Sequence, residues 1–458
     1  MVPLAIIGTD KSGKDERNMK ERREFPLPMI QFLIMASVII VVMILILMMS
    51  LWGKGQQSQE EKVDVVELEL VYAYQNAQWN GAVEQMVKEF NEAYPNIRIT
   101  YQIHYENTVY ENILNKLIAR DQLGDIVQIK TPRAYVNSGI LGTIPESVVD
   151  EIGVEHVYRI NDEIYGVGAV QTTNGIIYNK AIFDQYHLEE PETYQEFLDL
   201  CVQLRRHGIT PVGVGGSDLW HMEYWVNHFY RSDVLSQNGN WMKECASGSE
   251  NWMDEEITSM LTHLQEVFSQ GRVDRDWLST SDGSMAYMFS EGKFAMMYTS
   301  ACTTEAVLRL NEDMEMGWFY VPNESGEAQV PEILDAFWAV SSKCQEDPKK
   351  YEAAMTFLAF FYSQENYANV LKSITAFPTI GEECSYDMSE IQQQVVEDYN
   401  YNQTHYSEYI GDEDCPEGFE IMMLTIIQQM LKGDCTMAEA QSQIQAAWEK
   451  CLSEEVAP

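Results

Sequence analysis

The sequence predicts an α/β protein of two doubly wound lobes behind a single N-terminal transmembrane helix. Three observations carry that expectation. A chain of 458 residues is longer than one hydrophobic core usually serves, so two lobes are expected. Residues 65–129 alternate strand, helix, strand, helix, strand, the order that winds a parallel sheet. Residues 25–53 carry no charged side chain, and 32–51 are almost wholly apolar. Twenty such residues at about 1.5 Å each span roughly 30 Å, the core of a bilayer.

Six basic residues (Lys11, Lys14, Arg17, Lys20, Arg22, Arg23) precede the apolar span, and only Lys54 and Lys62 follow it closely. The positive-inside rule therefore keeps the N-terminus in the cytoplasm and the long domain outside the cell. A secretory apolar region usually runs only about 7–15 residues, and no small-x-small site precedes the polar linker. An uncleaved single-pass anchor is expected, with a cytoplasmic stub over 1–28, the anchor over 29–52 and a linker over 53–63. The stub is too short to be a kinase or other output domain.

The formal net charge is −41. The stub holds six basic and five acidic residues, leaving 24 basic against 66 acidic beyond it, a net −42 outside the cell. Such a domain repels phosphate backbones and anionic lipid, which excludes nucleic acid as a partner. The excess reads either as solubility at a crowded cell surface or as a preference for a cationic solute. Eight cysteines form no C-x-x-C, and no histidine stands at zinc-finger spacing from a cysteine pair, so no metal and no cofactor are expected. Outside the cell an even count permits disulfides, whose connectivity spacing does not reveal. Cys201 and Cys435 fall on apolar helix faces, a common place for free cysteine.

The elements follow in order. Residues 65–72 alternate polar and apolar, as a half-buried strand does. A helix over 80–94 carries Val83, Met86, Val87 and Phe90 on one face and ends at Pro95. Residues 97–103 alternate again, 111–119 form a helix, and 124–129 form the next strand. A strand over 164–170 is followed by the short apolar pair Ile176-Ile177, bounded by Gly175 and Asn179. Thr193, behind Pro191, caps an amphipathic helix with Phe197, Leu198, Cys201 and Leu204 at helical spacing. A strand follows Gly208, and helices are expected over 349–362, 418–432 and 437–451. No internal repeat of 20–50 residues is present.

Residues 161–211 are the most informative stretch. Tyr165-Gly166-Val167, Tyr178-Asn179-Lys180, Phe183, Pro191-Glu192-Thr193, Glu196-Phe197 and Gly208-Ile209-Thr210-Pro211 resemble the hinge-crossing segment of family 1 extracellular solute-binding proteins of ABC importers, the maltose-binding type. Trp79, Tyr94-Pro95-Asn96-Ile97, Gly124-Asp125-Ile126-Val127, Tyr135 and Gly139-Ile140-Leu141 resemble that family's first lobe. The run 288–297, the run 317–322 and the final helices extend the resemblance over about 65–452. It departs in places: Gly168 stands for a proline, Tyr194 for a tryptophan, and Ser300-Ala301-Cys302 for a Gly-x-Trp. The lipoprotein cysteine of many relatives is absent, since the first cysteine is Cys201.

The resemblance implies a type II periplasmic-binding-protein-like fold, with lobes over 64–168 plus 322–375 and over 169–321 plus 376–458, joined by a hinge. It implies a cleft lined by the loops around 74–80, 128–135, 168–174, 218–225, 299–303, 335–338 and 376–379. Sugars need flat aromatic faces with polar side chains to pair with hydroxyls. Trp79, Trp220 and Trp338 are therefore candidate stacking residues, with Trp338 expected in a loop-to-strand turn. Each has a plainer reading as a packing tryptophan. Gln171, Thr172 and Thr173 beside the hinge are candidate hydroxyl partners. Asp125 is a candidate contact or a structural cap, and Asp335 stands with Ala336 where the family carries a glycine pair.

Catalytic readings find little. Ser290-Glu-Gly-Lys293 fits S-x-x-K but lacks the companion motifs. His221 and His228 are seven apart without H-E-x-x-H, and read as surface or satisfied core histidines. A glycosidase would need two carboxylates about 5–10 Å apart, and no motif marks such a pair. The expectation is a monomeric, non-enzymatic receptor that takes a small polar solute, a sugar or oligosaccharide, and presents it to ABC permease subunits. A polyamine-type receptor, a sensor for a separate membrane kinase and a surface carbohydrate hydrolase are the alternatives.

Overall fold

The structure is a computed structural model and describes residues 35, 37, 40–49, 65–73, 77–104, 110–381, 384, 386–402, 404–412 and 414–455. Residues 1–64 and 65–458 form two separate units. In the first, residues 40–49 are helical and their apolar side chains are exposed. The remainder of the expected anchor, apart from Met35 and Ser37, lies outside the described residues, as do the stub and the linker. Among the described residues, no helix is long and apolar enough to cross a membrane.

Among its described residues the second unit has twelve strands: β1 (Val66–Ala73), β2 (Ile97–His104), β3 (Ile126–Ile129), β4 (Val157–Ile160), β5 (Glu163–Thr172), β6 (Asn174–Asn179), β7 (Val212–Gly213), β8 (Met296–Ser300), β9 (Met316–Phe319), β10 (Val330–Pro331), β11 (Ile333–Val340) and β12 (His405–Tyr406). They form a six-stranded sheet in the order β2-β1-β3-β11-β5-β4, a four-stranded sheet β7-β8-β6-β9, and the pair β10-β12. The expected winding is present at β2-β1-β3, whose pairings are parallel. Elsewhere the sheets are mixed. β11 runs antiparallel to both β3 and β5, and β6 antiparallel to both β8 and β9. The reason is topological: a strand that enters a sheet from a crossing starts at the end where its neighbours finish, and so runs backwards.

Sequence patterning explains the layers. β2 lies at the sheet's edge and alternates, with Ile97 and Ile99 buried and Arg98 and Thr100 exposed. β1 was expected to alternate likewise, yet residues 70–73 are buried in succession. Its interior position, covered on both faces, removes the solvent side. The helix Ala77–Ala93 buries Trp79, Val83, Met86, Val87 and Phe90, one stripe at helical spacing, against helix Pro348–Phe361 and its neighbours. Each such large side chain contributes about 1.5–3 kcal/mol on burial.

Around the four-stranded sheet, helix Tyr194–Arg206 packs Phe197, Leu198, Cys201 and Leu204 into a core shared with Trp225, Trp241, Trp252 and Trp448. Thr193 caps that helix by accepting from the Glu196 N–H, as the sequence predicts. Three segments cross between the sheets: the β5–β6 junction at Thr173, the stretch from β9 to β11, and the stretch from helix Gln364–Ile374 to helix Glu390–Tyr401. The strand directions aim the carboxyl ends of β1, β3 and β5 at these crossings from one side, and those of β7, β8 and β9 from the other. Open α/β sheets bind ligands at such ends.

Candidate functional site

The β5–β6 crossing gathers Gln171, Thr172 and Thr173, all buried. The Gln171 backbone bonds in both directions with Phe377 of the third crossing (2.7 and 3.1 Å). Its side-chain amide donates to the Tyr399 hydroxyl at 2.9 Å, and that hydroxyl donates to Glu332 at 3.0 Å. The Tyr399 ring lies between Phe377 and His405, with centroids 4.2 and 4.1 Å away. Burial, and then the neighbouring Glu332 carboxylate, push the Tyr399 hydroxyl well above the usual tyrosine range, so it stays a donor. Thr172 shares a hydrogen bond with Ser300 at the end of β8 (3.2 Å), and Thr173 donates to the Pro331 carbonyl (2.8 Å). The three expected residues therefore join all three crossings, and each already has a protein partner. Tyr399 and Glu332 were not expected. They carry no local signal, since Gln171 and Tyr399 are 228 residues apart.

Trp220 occupies the loop region after β7. That loop passes so close to its neighbours that a Cβ on Gly216 would lie 2.2 Å from the Trp277 ring, and one on Gly215 would lie 2.8 Å from the Asp282 nitrogen. Only glycine allows this path. The short 3₁₀ turn Leu219–Met222 then leaves Trp220 47% exposed, against Tyr224 (6.0 Å) and His221 (5.9 Å), both edge-on. His221 beneath it is buried, with Nδ1 3.0 Å from Asp282 Oδ1, while Asp218 accepts from the Asp282 N–H at 2.8 Å. Tyr224 continues to Tyr298 of β8 (6.1 Å), so one aromatic path runs from solvent to the sheet. An exposed indole beside carboxylates is the surface on which a sugar ring stacks while its hydroxyls are paired.

The other candidates lie apart from Trp220. Trp79 sits in the first turns of its helix and Trp338 sits within β11, paired with Gln128 and Val167 rather than in a turn. The two rings stack 6.0 Å apart at 16°, with 1% and 0% exposure, inside the core of the larger sheet. In this arrangement neither offers a face to a ligand. The sequence held the signal for Trp79, which extends the stripe Val83, Met86, Val87 and Phe90 back by one turn. Asp125 is buried and bound by Lys350 (2.8 and 2.9 Å) and by the Glu69 N–H (2.9 Å), joining β1, the start of β3 and helix Pro348–Phe361. Asp335 lies on β11, and its side chain falls outside the described residues. Among the described residues no group of histidine, cysteine, aspartate and glutamate side chains could hold a metal ion.

A family model described as bacterial extracellular solute-binding protein matches residues 76–368. Among curated proteins, the multiple sugar-binding protein of Streptococcus mutans is 19% identical over 365 residues, covering 76% of this chain and 83% of its own. Among solved structures, a chitin oligosaccharide binding protein superposes with a TM-score of 0.75 at 18% identity, covering 85% of this chain and 100% of its own. The raffinose complex of the binding protein RafE does so with 0.71 at 17%, covering 86% and 100%. At these identities the structural likeness shows the fold, which is type II periplasmic-binding-protein-like. With the crossings, the mixed sheets and a family match over most of its length, the chain belongs to the bacterial extracellular solute-binding proteins, which carry solutes rather than transform them.

Proposed function

We propose that the protein is a membrane-anchored receptor that captures a sugar or oligosaccharide between two lobes and delivers it, as a monomer, to an ABC permease. The lobes run over 64–168 plus 322–375 and over 169–321 plus 376–458. The observation that carries the sugar reading is Trp220, an exposed indole held at the carboxyl ends of the smaller sheet's strands beside Asp218 and Asp282. Membership of the family supports it, as do relatives whose names record binding of multiple sugars and of melibiose, raffinose and stachyose. Gln171, Thr172 and Thr173 act at the floor, where a solute competes for their present hydrogen bonds as the lobes close. Trp79, Trp338, Asp125 and Asp335 contribute only if closure rearranges the larger lobe. Solute binds the closed form better and so shifts the population toward it.

A thermal-shift screen of the full chain in detergent micelles against oligosaccharides, polyamines and amino acids tests this. A solute at a hundred times its dissociation constant stabilises by about 2.7 kcal/mol. A response to polyamines alone would overturn the sugar reading in favour of a cationic solute. The anchor rests on the apolar run over 29–52, long enough for a bilayer of about 30 Å. Extraction of membranes with alkaline carbonate should leave the protein in the pellet; its release would remove the anchor.

A further inference from the structure

Helix Glu223–Phe229 continues into a π-helical turn, Tyr230–Leu235. Such turns insert an extra residue and reorient those around it, and they recur at functional sites. Here the turn buries two charged side chains, Arg231 (2% exposed) and Asp233 (9%). They do not pair with each other. Asp233 engages His263 at 2.8 Å, and its other carboxylate oxygen accepts from Ser232 at 3.1 Å. The Arg231 guanidinium donates to the hydroxyl of Tyr298 at 3.3 Å, its Nε has no partner, and no carboxylate lies within ion-pair distance among the described residues.

One turn earlier, buried His228 has no partner at either ring nitrogen, and its ring centroid stands 5.7 Å from that of Tyr298. Burial and the adjacent Arg231 hold His228 well below its ordinary range, so it is neutral and offers one N–H. Arginine stays charged in proteins. In a chain with 71 acidic residues, the Arg231 guanidinium is thus buried with no carboxylate among the described residues, next to an unused imidazole and a phenol. Buried charge without a counter-charge is strongly unfavourable, and these donors have the composition of an anion site.

We propose that Arg231, His228 and Tyr298 form an internal site for one monovalent anion, either a free halide or a carboxylate carried by an acidic solute. The site does not rest on the sugar reading, because its donors are Arg231, His228 and Tyr298 and Trp220 supplies none. The test uses the full chain in detergent at constant ionic strength, with the bulky anion isethionate as reference. Replacing isethionate by chloride or bromide should raise the melting temperature and saturate, and Arg231→Met should abolish that response. If halide has no effect but an oligogalacturonate stabilises the native chain and not Arg231→Met, the anion arrives on the solute. Indifference to halides and to the uronate, or an unchanged response in Arg231→Met, overturns the site. Should that variant not fold, His228→Phe decides: loss of one donor should weaken the halide or uronate midpoint about tenfold, and an unchanged midpoint rejects the proposal. A failed screen with neutral sugars leaves all of these readouts intact.

Discussion

The regions around the two sheets both bury tryptophans, but they differ in what they leave exposed or unpaired. Around the six-stranded sheet, tryptophans are packed away and buried charge is paired: Trp79 and Trp338 stack in the core, and Asp125 meets Lys350. Around the four-stranded sheet Trp225, Trp241, Trp252 and Trp448 are packed away as well, but Trp220 faces solvent, Arg231 is buried without counter-charge beside the unpartnered His228, and the half-buried Asp398 stands near Glu190. A buried group left unsatisfied detracts from stability. The contrast lies between the stacked pair Trp79–Trp338 with the Asp125–Lys350 ion pair and the exposed Trp220 with the unpaired Arg231.

The sharpest way to break that contrast is Trp338→Ala. It should lose about 3–5 kcal/mol of stability in urea unfolding, as a large side chain removed from a packed core does; a loss below about 1 kcal/mol would mean the stack is not structural. Next in size, Lys350→Met leaves Asp125 buried with only the Glu69 N–H. Because Lys350 is itself partly exposed, the expected loss is about 2 kcal/mol, and Asp125→Asn added to it should restore part of that in a double-mutant cycle.

The region around the four-stranded sheet should respond in the other direction. Burial, followed by Glu190 and Glu397, raises the Asp398 carboxyl to about 6. A raised acid is stabilising in its protonated form, so its contribution is full below about pH 4 and is lost as pH rises through 6. Asp398→Asn should therefore stabilise by about 1 kcal/mol at pH 8, after allowance for solvent screening, and by nothing at pH 3.5. Equal effects at both pH values would show that repulsion is not the cause. The smallest stability change belongs to Trp220→Ala, within about 0.5 kcal/mol. Its effect should appear instead in calorimetric titration of the sugar, with affinity about 3- to 10-fold weaker; an unaltered affinity would take Trp220 out of the site.

Much of the fold was legible because it is written locally. The stripe from Val83 to Phe90, the cap at Thr193 and the pair Ile176-Ile177 each declare an element within a few residues. The candidate site was legible only in part. Trp220 and the run 171–173 stand where they were expected, at strand ends and at the crossing. Trp338 does not, because β11 begins at Ile333 and carries it into the sheet, after a register shift between Leu334 and Phe337 that residue pattern does not announce. Gln171, Tyr399 and Glu332 meet across three separate crossings, and Arg231 is turned inward by a π-helical turn with no composition of its own.

By itself, then, the sequence determined the order of elements, the family, the acidic balance and the apolar N-terminal run, since periodicity, caps and charge depend on neighbours along the chain. Strand direction, the burial of Trp79 and Trp338, the exposure of Trp220 and the isolation of Arg231 were decided only in the tertiary structure. Each depends on which distant segment arrives beside a residue, and whether it brings water, a ring or a counter-charge.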